Sequence, residues 1–186
     1  LEAQDRVGGR VLNHPLGDGQ VVEAGGQYIG PTQHRMAALA AEYEVATYPT
    51  YDQGASVNII EGERLLNAFP PGVGEEYLAL ATQLQAMADA VPVDAPWTAP
   101  EAVTWDSQTL RTWLDDAGAS PGAQGIFRGI SDLWGAEPRD VSLLFALFYI
   151  AAAGDETTPG TLDRLIDIRD GAQELRFVGG SQLIAI

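Results

Sequence analysis

An unbroken apolar run, LLFALFYIAAA from Leu143 to Ala153, is the feature that most limits how this chain can fold. A helix needs about 20 apolar residues to cross the hydrocarbon core of a bilayer, and this run is too short to do so. A helix that is apolar on all sides is normally buried in a folded domain. The run therefore predicts a core helix covered by other elements, and no membrane-spanning segment.

Helical patterns occupy the middle of the chain. From Gly74 onward, apolar residues at helical spacing predict a long amphipathic helix with the stripe Tyr77, Leu80, Ala81, Leu84, Met87, Ala88 and Val91. The proline-rich segment VPVDAPWTAPEA is expected to be an extended connection. WDSQTLRTWLDDAG predicts a short helix capped by Asp106 or Ser107 and ended near Gly118. SPGAQGIFRGISDLWG predicts another helix.

Short strands and turns are predicted towards both ends. RVLNHPLGDGQVVEAGG favours two strands around a turn at Gly17-Asp18-Gly19, and Thr32 is the expected N-cap of the next helix. ASVNIIEGERLLN favours a hairpin that turns at Glu61-Gly62-Glu63. RDGAQELRFVGGSQLIAI favours a turn, a strand and a glycine pair. We therefore predict an α/β fold, with α and β elements mixed, in which a helical insertion interrupts one domain.

Composition excludes several classes of partner and site. The net charge is −16, from 26 acidic and 10 basic residues, and all the basic residues are arginine. Phosphate binding needs clustered cations, so this balance argues against nucleic-acid and anionic-membrane partners. There is no cysteine, and His14 and His34 lack metal-ligand spacing, so we predict no metal site and no histidine base. The first residues lack the apolar run of a secretory signal, and we predict a cytoplasmic location.

The first ten residues, LEAQDRVGGR, combine an acid with a glycine pair and an arginine. In dinucleotide-binding folds, an acid at the end of the second strand accepts hydrogen bonds from a ribose, and glycines let the backbone approach the cofactor. Glu2, Gly9 and Arg10 have these characters, since a guanidinium can grip a phosphate with paired donors. By themselves, such an acid is more often a surface residue and such a glycine pair more often a turn, so both interpretations stay open.

Five blocks follow one another along the chain: LEAQDRVGGR, VVEAGGQYIGPTQHRM, DAPWTAPEAVTWDSQTLRTWL, EPRDVSLLFALFYI and DGAQELRFVGGS. In this order they resemble the FAD-dependent amine oxidase superfamily, and most of all the bacterial monoamine oxidase-like enzymes. The resemblance covers nearly the whole chain. It implies an incomplete FAD-binding Rossmann-like domain, residues 1–47 and 178–186, interrupted by a largely helical substrate-binding domain, residues 48–177.

The resemblance also implies roles for individual residues toward FAD. Glu2 would bind the adenosine ribose, and Arg10 with the backbone of Gly9 would lie along the pyrophosphate and ribityl region. The segment Gly25–Tyr28 would pass beside the isoalloxazine ring. The full set of implied cofactor-binding residues is Glu2, Ala3, Gly9, Arg10, Gly25, Gly26, Gln27 and Tyr28. Gln4 departs from the basic residue often found at its position, which puts one contact to the adenosine end in doubt.

Three residues are implied on the substrate side. Gln173 matches a glutamine that lines the substrate pocket near the flavin, and Leu165 and Ile166 would lie near the pocket entrance. The implied activity is FAD-dependent oxidation of an amine with O₂ as acceptor, for which no protein base is required. We therefore assign no catalytic residue and no metal. A homodimer is expected for the full-length protein.

Several parts of the family pattern are not found in this sequence, among them the glycine turn expected before Leu1 and the lysine and aromatic pair expected after Ile186. We therefore expect an internal piece that is inactive by itself. Two alternatives stay open. One is an L-amino-acid oxidase-like flavoenzyme, whose substrate would need an arginine to pair with its carboxylate. The other is a degenerate, non-catalytic interaction domain with an exposed apolar patch on its helices.

Overall fold

The computed structural model describes residues 3–186, so Glu2 lies outside the described residues. The chain divides into two compact units. The first unit takes in the chain up to Asp52 together with Asp163–Ile186, and the second unit is Gln53–Leu162. The sequence therefore leaves the first unit once and returns to it.

Helices and strands alternate with short turns in the described chain. The strands are β1 (Asn13–Gly17), β2 (Gln20–Glu23), β3 (Tyr28–Ile29), β4 (Thr47–Pro49), β5 (Val57–Ile60), β6 (Glu63–Leu66) and β7 (Leu175–Phe177). The α-helices are α1 (His34–Glu42), α2 (Val73–Ala88), α3 (Ala102–Asp106), α4 (Leu110–Asp116), α5 (Pro121–Ser131), α6 (Leu143–Ala151) and α7 (Leu162–Ile166). Short 3₁₀ turns are Pro96–Thr98, Asp132–Trp134 and Ser181–Ala185. The mixed helix-and-strand fold predicted from the sequence is confirmed.

A three-stranded antiparallel sheet organises the first unit. Its central strand is β7, with β3 on one side and β4 on the other. On one face of this sheet, Ile29 and Phe177 pack with Ala40 of α1 and with Ile184 in a buried cluster. The pairing draws β4 and β7 into the first unit. By contacts, the first unit is left after Asp52 and resumed at Asp163. The division into a cofactor domain and a substrate domain at residues 47 and 178 stays a prediction.

The second unit is a hairpin with helices. Strands β5 and β6 pair antiparallel from Val57–Leu66 to Ile60–Glu63, which confirms the predicted hairpin, with Glu61-Gly62 as its turn and Glu63 already in β6. Helix α2 packs with α5 and α6. The residues buried from its apolar stripe are Leu80, Leu84, Ala88 and Val91. Within residues 3–186, no helix is long and apolar enough to cross a membrane.

The predicted core helix is present as α6, with Leu143, Leu147 and Ile150 almost fully buried. Phe145 is 43% exposed, so the apolar run is not covered on all sides. Its ring meets Trp134 edge-on, with the centroids 6.4 Å apart. On this side of α6, Phe145 therefore packs against the ring of Trp134 instead of being fully buried.

Three local predictions are wrong. Helix α1 begins at His34 with Gln33 as its N-cap, so Thr32 does not cap it. The predicted cap at Asp106 or Ser107 is in fact the end of α3; α4 is capped by Thr109, whose extended backbone lets its side chain accept from the Thr112 N–H. The proline-rich connection is not extended throughout, because Pro96 starts a 3₁₀ turn, a position that tolerates the missing N–H of proline.

Candidate functional site

The loop before β1 contains the glycine pair predicted at the cofactor. Gly8 and Gly9 have φ angles of +102° and +52°, which favour glycine. The Val11 N–H donates to the Gly8 carbonyl at 2.9 Å, and the Arg6 guanidinium donates to the Gly9 carbonyl at 2.9 Å. Arg10 is exposed, and within residues 3–186 its guanidinium has no hydrogen-bond or ion-pair partner. The loop is therefore held by its own backbone and by Arg6, which leaves the charge of Arg10 facing solvent.

A second glycine pair lies directly against this loop. The Gly26 N–H donates to the Arg10 carbonyl at 3.2 Å. A β-carbon on Gly25 would stand 2.1 Å from the same carbonyl oxygen, so no side chain fits there. Gly9, Arg10, Gly25 and Gly26 are all exposed to solvent. The two predicted cofactor segments are thus brought together, with their glycine backbones accessible.

An ion pair between a buried carboxylate and a half-buried arginine lies beside these segments. The Glu23 carboxylate is 3% exposed and accepts from Arg176 Nη2 at 2.8 Å and from the Ser181 N–H at 2.8 Å. The hydrogen bond to Glu23 is the main cause that raises the pKa of Arg176 above its ordinary value. The Arg176 guanidinium lies 5.7 Å from the centre of the Tyr28 ring, within the range of a cation–π contact. Tyr28 is itself 37% exposed, and Gln27 before it is half-buried.

The segment that contains a third glycine pair, Gly179-Gly180, is connected to the beginning of the chain through the side chains of Asn13 and Gln182. The Gln182 carbonyl accepts from the Asn13 N–H at 2.8 Å, and its amide donates to the Val7 carbonyl at 2.9 Å. The Asn13 amide donates to the Gly179 carbonyl at 2.7 Å. Sequence reasoning missed Asn13, Gln182, Glu23, Arg176 and Ser181 as parts of this region. The glycine pair before Ser181 was the one available signal.

The residues in this region fit a flat, polar, anionic cofactor such as FAD. Glycines at 9, 25 and 26 leave the backbone accessible, as close approach of a cofactor requires. Asn13 Oδ1 and Arg176 Nε are buried and have no hydrogen-bond partner within the described chain. Buried polar atoms are normally paired, so these two are available to a bound group or to water. The Arg10 guanidinium supplies a cation suited to a pyrophosphate.

The predicted substrate-side residues lie on and after α7. Leu165 is buried, at 7% exposure, and Ile166 and Gln173 are half-buried. The Gln173 N–H donates to the Asp167 carbonyl at 3.4 Å. Burial, with the nearby Asp163 charge as a second cause, raises the pKa of Asp167. The role of these residues at a substrate stays a prediction.

The segment that contains Tyr28 also reaches this second region. A β-carbon on Gly30 would lie 2.6 Å from the Gly171 carbonyl oxygen and 2.8 Å from the Ala172 α-carbon. The backbone just before Gln173 is therefore in contact with the end of the Gly-Gly-Gln-Tyr-Ile-Gly segment. The structure brings the predicted flavin-facing and substrate-facing segments together in one unit.

Two open grooves of about 380 Å³ each lie in the second unit. Arg111, Arg128 and Arg139 border one groove, and strand β5 and helix α5 border the other. Neither groove is lined by Leu165, Ile166 or Gln173. They are therefore separate from the residues predicted at the substrate.

Comparison with known proteins extends the sequence resemblance. The family model described as flavin containing amine oxidoreductase matches residues 1–183. The chain is 36% identical to the putative flavin-containing monoamine oxidase AofH of Mycobacterium tuberculosis, over 100% of this chain and 40% of that protein. It is 34% identical to the flavin-containing amine oxidase A of Canis lupus familiaris, over 97% of this chain and 34% of that protein.

Solved structures of two amine oxidases also resemble this chain over part of their length. Cyclohexylamine oxidase from Brevibacterium oxydans superposes with a TM-score of 0.86 at 30% identity, over 98% of this chain and 41% of that one. Wild-type putrescine oxidase bound to putrescine superposes with a TM-score of 0.80 at 29% identity, with the same coverage. The chain therefore spans about two-fifths of the length of these relatives.

Proposed function

Since this chain belongs to the family of flavin-containing amine oxidoreductases, we propose that it serves the FAD-dependent oxidation of an amine. The observation that carries the proposal is the backbone contact between the Gly8–Arg10 loop and the Gly25–Gly26 pair. The two glycine segments, which flank the β1–β2 hairpin, form one accessible surface that includes the exposed residue Arg10. Such a surface suits a dinucleotide, which needs close backbone approach and a partner for its phosphates.

Each cofactor segment has a proposed task. The Gly9 backbone and the Arg10 guanidinium bind the pyrophosphate and ribityl region of FAD. Gly25, Gly26, Gln27 and Tyr28 lie along the isoalloxazine ring. Glu2, with Ala3 beside it, binds the adenosine ribose, although Glu2 lies outside the described residues.

The chemistry supplied by a bound flavin is acceptance of a hydride equivalent from the carbon next to the amine, with O₂ as the proposed final acceptor. The protein's own task is to orient the amine and to exclude water. Leu165 and Ile166 would keep water out near the pocket entrance, and the Gln173 amide would orient the substrate. No side chain is assigned as a base.

We propose a primary amine or polyamine as the substrate. The relatives named putrescine oxidase and cyclohexylamine oxidase support this class, and a net charge of −16 favours approach of a cationic amine. An amino-acid substrate would require an arginine available to its carboxylate. The arginines along the first groove each have an acidic neighbour within 4 Å, in the pairs Arg111–Asp115, Arg128–Glu137 and Arg139–Asp140. These pairs argue against a carboxylate substrate at this groove.

A segment exchange tests the proposal. Residues 1–183 of this chain would replace the aligned segment of cyclohexylamine oxidase. We expect the folded chimera to retain FAD at near one-to-one stoichiometry and to release peroxide with amines but not with amino acids. A folded, monodisperse chimera that is colourless would contradict the cofactor assignment and favour a non-catalytic interaction domain. Peroxide release with L-amino acids would favour the amino-acid oxidase alternative.

Two further expectations stay predictions. They are the cytoplasmic location and the homodimer of the full-length protein. Fractionation of the producing cells and light scattering of the intact protein would test them.

A further inference from the structure

The Glu23 carboxylate is unusual in this acidic chain because it is nearly fully buried, at 3% exposure. It lies at the end of β2, two residues before Gly25. A buried charge is costly unless it is paired and hydrogen-bonded. Both of its oxygens are used, one by Arg176 Nη2 and the other by the Ser181 N–H, each at 2.8 Å.

One carboxylate oxygen of Glu23 is connected to the Tyr28 ring through Arg176. In the sheet, Arg176 of β7 stands opposite Tyr28 of β3 and Tyr48 of β4. Its guanidinium lies over the Tyr28 ring at 5.7 Å, and its side chain is 29% exposed. The bond from Nη2 to Glu23 therefore fixes the direction of a guanidinium whose face contacts the ring.

The other carboxylate oxygen of Glu23 is connected to the Gly26 carbonyl through Ser181. The Ser181 N–H is bound to Glu23, and the Ser181 hydroxyl donates to the Gly26 carbonyl at 2.5 Å. Both ends of the segment from Gly26 to Tyr28 are thus attached to a single carboxylate. The attachments come from residues more than 150 positions away along the chain, at separations of 153 and 158.

We propose that Glu23 is a positioning residue that fixes the Gly26 carbonyl and the Tyr28 ring. The proposal rests on the proposed function, which places this segment beside the flavin. Charge is the essential property. A glutamine of the same size accepts a hydrogen bond, but it carries no negative charge to hold the guanidinium in place.

The test uses the 186-residue chain and the variant Glu23→Gln, measured by NMR without flavin. The first readout is the chemical shift of the Arg176 Nε–H, assigned with Arg176→Lys, because the Tyr28 ring current displaces it. The second is amide hydrogen exchange at Gly26 and Ser181. We expect Glu23→Gln to remove the ring-current displacement and to speed exchange at both amides by about tenfold or more. The Val45 amide, which is bound to the Ala40 carbonyl in the same unit, should be unchanged.

Two variants control the interpretation. Glu137→Gln makes the same chemical change at the exposed Arg128–Glu137 pair and should leave the Arg176 signal and the exchange at Gly26 and Ser181 as in the wild type. Ser181→Ala should speed exchange at Gly26 alone and keep the Arg176 displacement. An unchanged Arg176 signal in Glu23→Gln, or exchange that rises equally at Val45, would overturn the proposal. If Glu23→Gln does not fold, Glu23→Asp is measured with the same readouts. Because aspartate keeps the negative charge, this variant must keep the ring-current displacement of the Arg176 signal, and loss of the displacement would overturn the proposal.

The readouts require no flavin, so their failure is distinct from failure of the proposed function. In the segment-exchange chimera, Glu23→Gln should also weaken FAD retention by about tenfold, while Glu137→Gln should not. If Glu23→Gln leaves the FAD affinity of the chimera unchanged, the positioning role at the flavin is overturned.

Discussion

The Arg10 carbonyl oxygen occupies the space that a β-carbon on Gly25 would need, only 2.1 Å from its ideal position. Neither Gly25 nor Gly26 has a positive φ, so the constraint at Gly25 is steric rather than conformational. The two glycines therefore differ, although they are adjacent and both belong to the predicted cofactor segment. At Gly26, the nearest atom to a β-carbon is a Val11 methyl group at 3.6 Å, an ordinary contact distance.

We expect Gly25→Ala to lower the free energy of unfolding by about 1–3 kcal/mol, because the Gly8–Arg10 loop must move away from the added methyl group. Gly26→Ala is the matched control and should change the free energy of unfolding by less than about 1 kcal/mol. Urea unfolding of the chain measures both. Equal destabilisation by the two variants would contradict the backbone contact described here.

Arg10→Ala should reduce FAD affinity without a change in stability. The Arg10 side chain is exposed and unpaired within residues 3–186, so its removal breaks no hydrogen bond or ion pair among these residues. A charge-assisted hydrogen bond to a phosphate contributes about 1.5–3 kcal/mol, so FAD affinity of the segment-exchange chimera should fall at least about tenfold. Flavin fluorescence titration measures this affinity. Arg35→Ala on α1 removes another exposed arginine and should leave FAD affinity unchanged.

The 186-residue polypeptide alone is expected to bind no stoichiometric FAD. It spans about two-fifths of the length of the relatives it matches, and a dinucleotide site normally includes a glycine turn on the first strand of its sheet. Absorbance of the purified chain, after incubation with FAD and gel filtration, checks this expectation. Yellow protein at near one-to-one stoichiometry would contradict it.

Local elements were the part of the fold that the sequence predicted well. The hairpins turn at Asp18 and at Glu61-Gly62, where the φ angles are positive and the turn chemistry is confined to neighbouring residues. The apolar stripe on α2 was predicted equally well, because helical spacing alone selects the buried face. The cap of α4 was missed because Asp106, Ser107 and Thr109 all have suitable side chains, and backbone geometry chose between them.

The glycine segments of the candidate site were predicted from the sequence, but the side-chain contacts that connect them were missed. Gly25 and Arg10 belong to motifs that a sequence shows directly. The pairing of Glu23 with Arg176 joins residues 153 positions apart, and no spacing rule relates them. Likewise, β7 was predicted as a strand, but its place between β3 and β4 depends on long-range pairing. Such contacts follow from tertiary packing rather than from local propensity.

In the second unit, a carboxylate of α2 is joined to the N-cap of α5, and this contact is called the α2–α5 joint. The Glu76 carboxylate accepts from the Ser120 N–H at 2.7 Å and from the Ser120 hydroxyl at 2.5 Å. The Ser120 side chain also caps α5 by accepting from the Ala123 N–H at 3.3 Å. Ser120→Ala should therefore lower the free energy of unfolding by about 1 kcal/mol, the usual loss for an N-cap.

The same joint should depend on pH. The hydrogen bonds from Ser120 lower the pKa of Glu76 below its ordinary value of 4.5. A lowered acid pKa contributes stability that is present above 4.5 and lost as the pH falls through the folded-state pKa. Glu76→Gln should therefore unfold at lower urea concentration than the wild type at neutral pH, and the difference should vanish well below pH 4.5. Glu75→Gln removes a neighbouring carboxylate from the first turn of α2 and is the matched control, which should unfold at the same urea concentration as the wild type at neutral pH. A gap between Glu76→Gln and the wild type that persists in acid would mean that the Ser120 contact does not depend on the charge of Glu76.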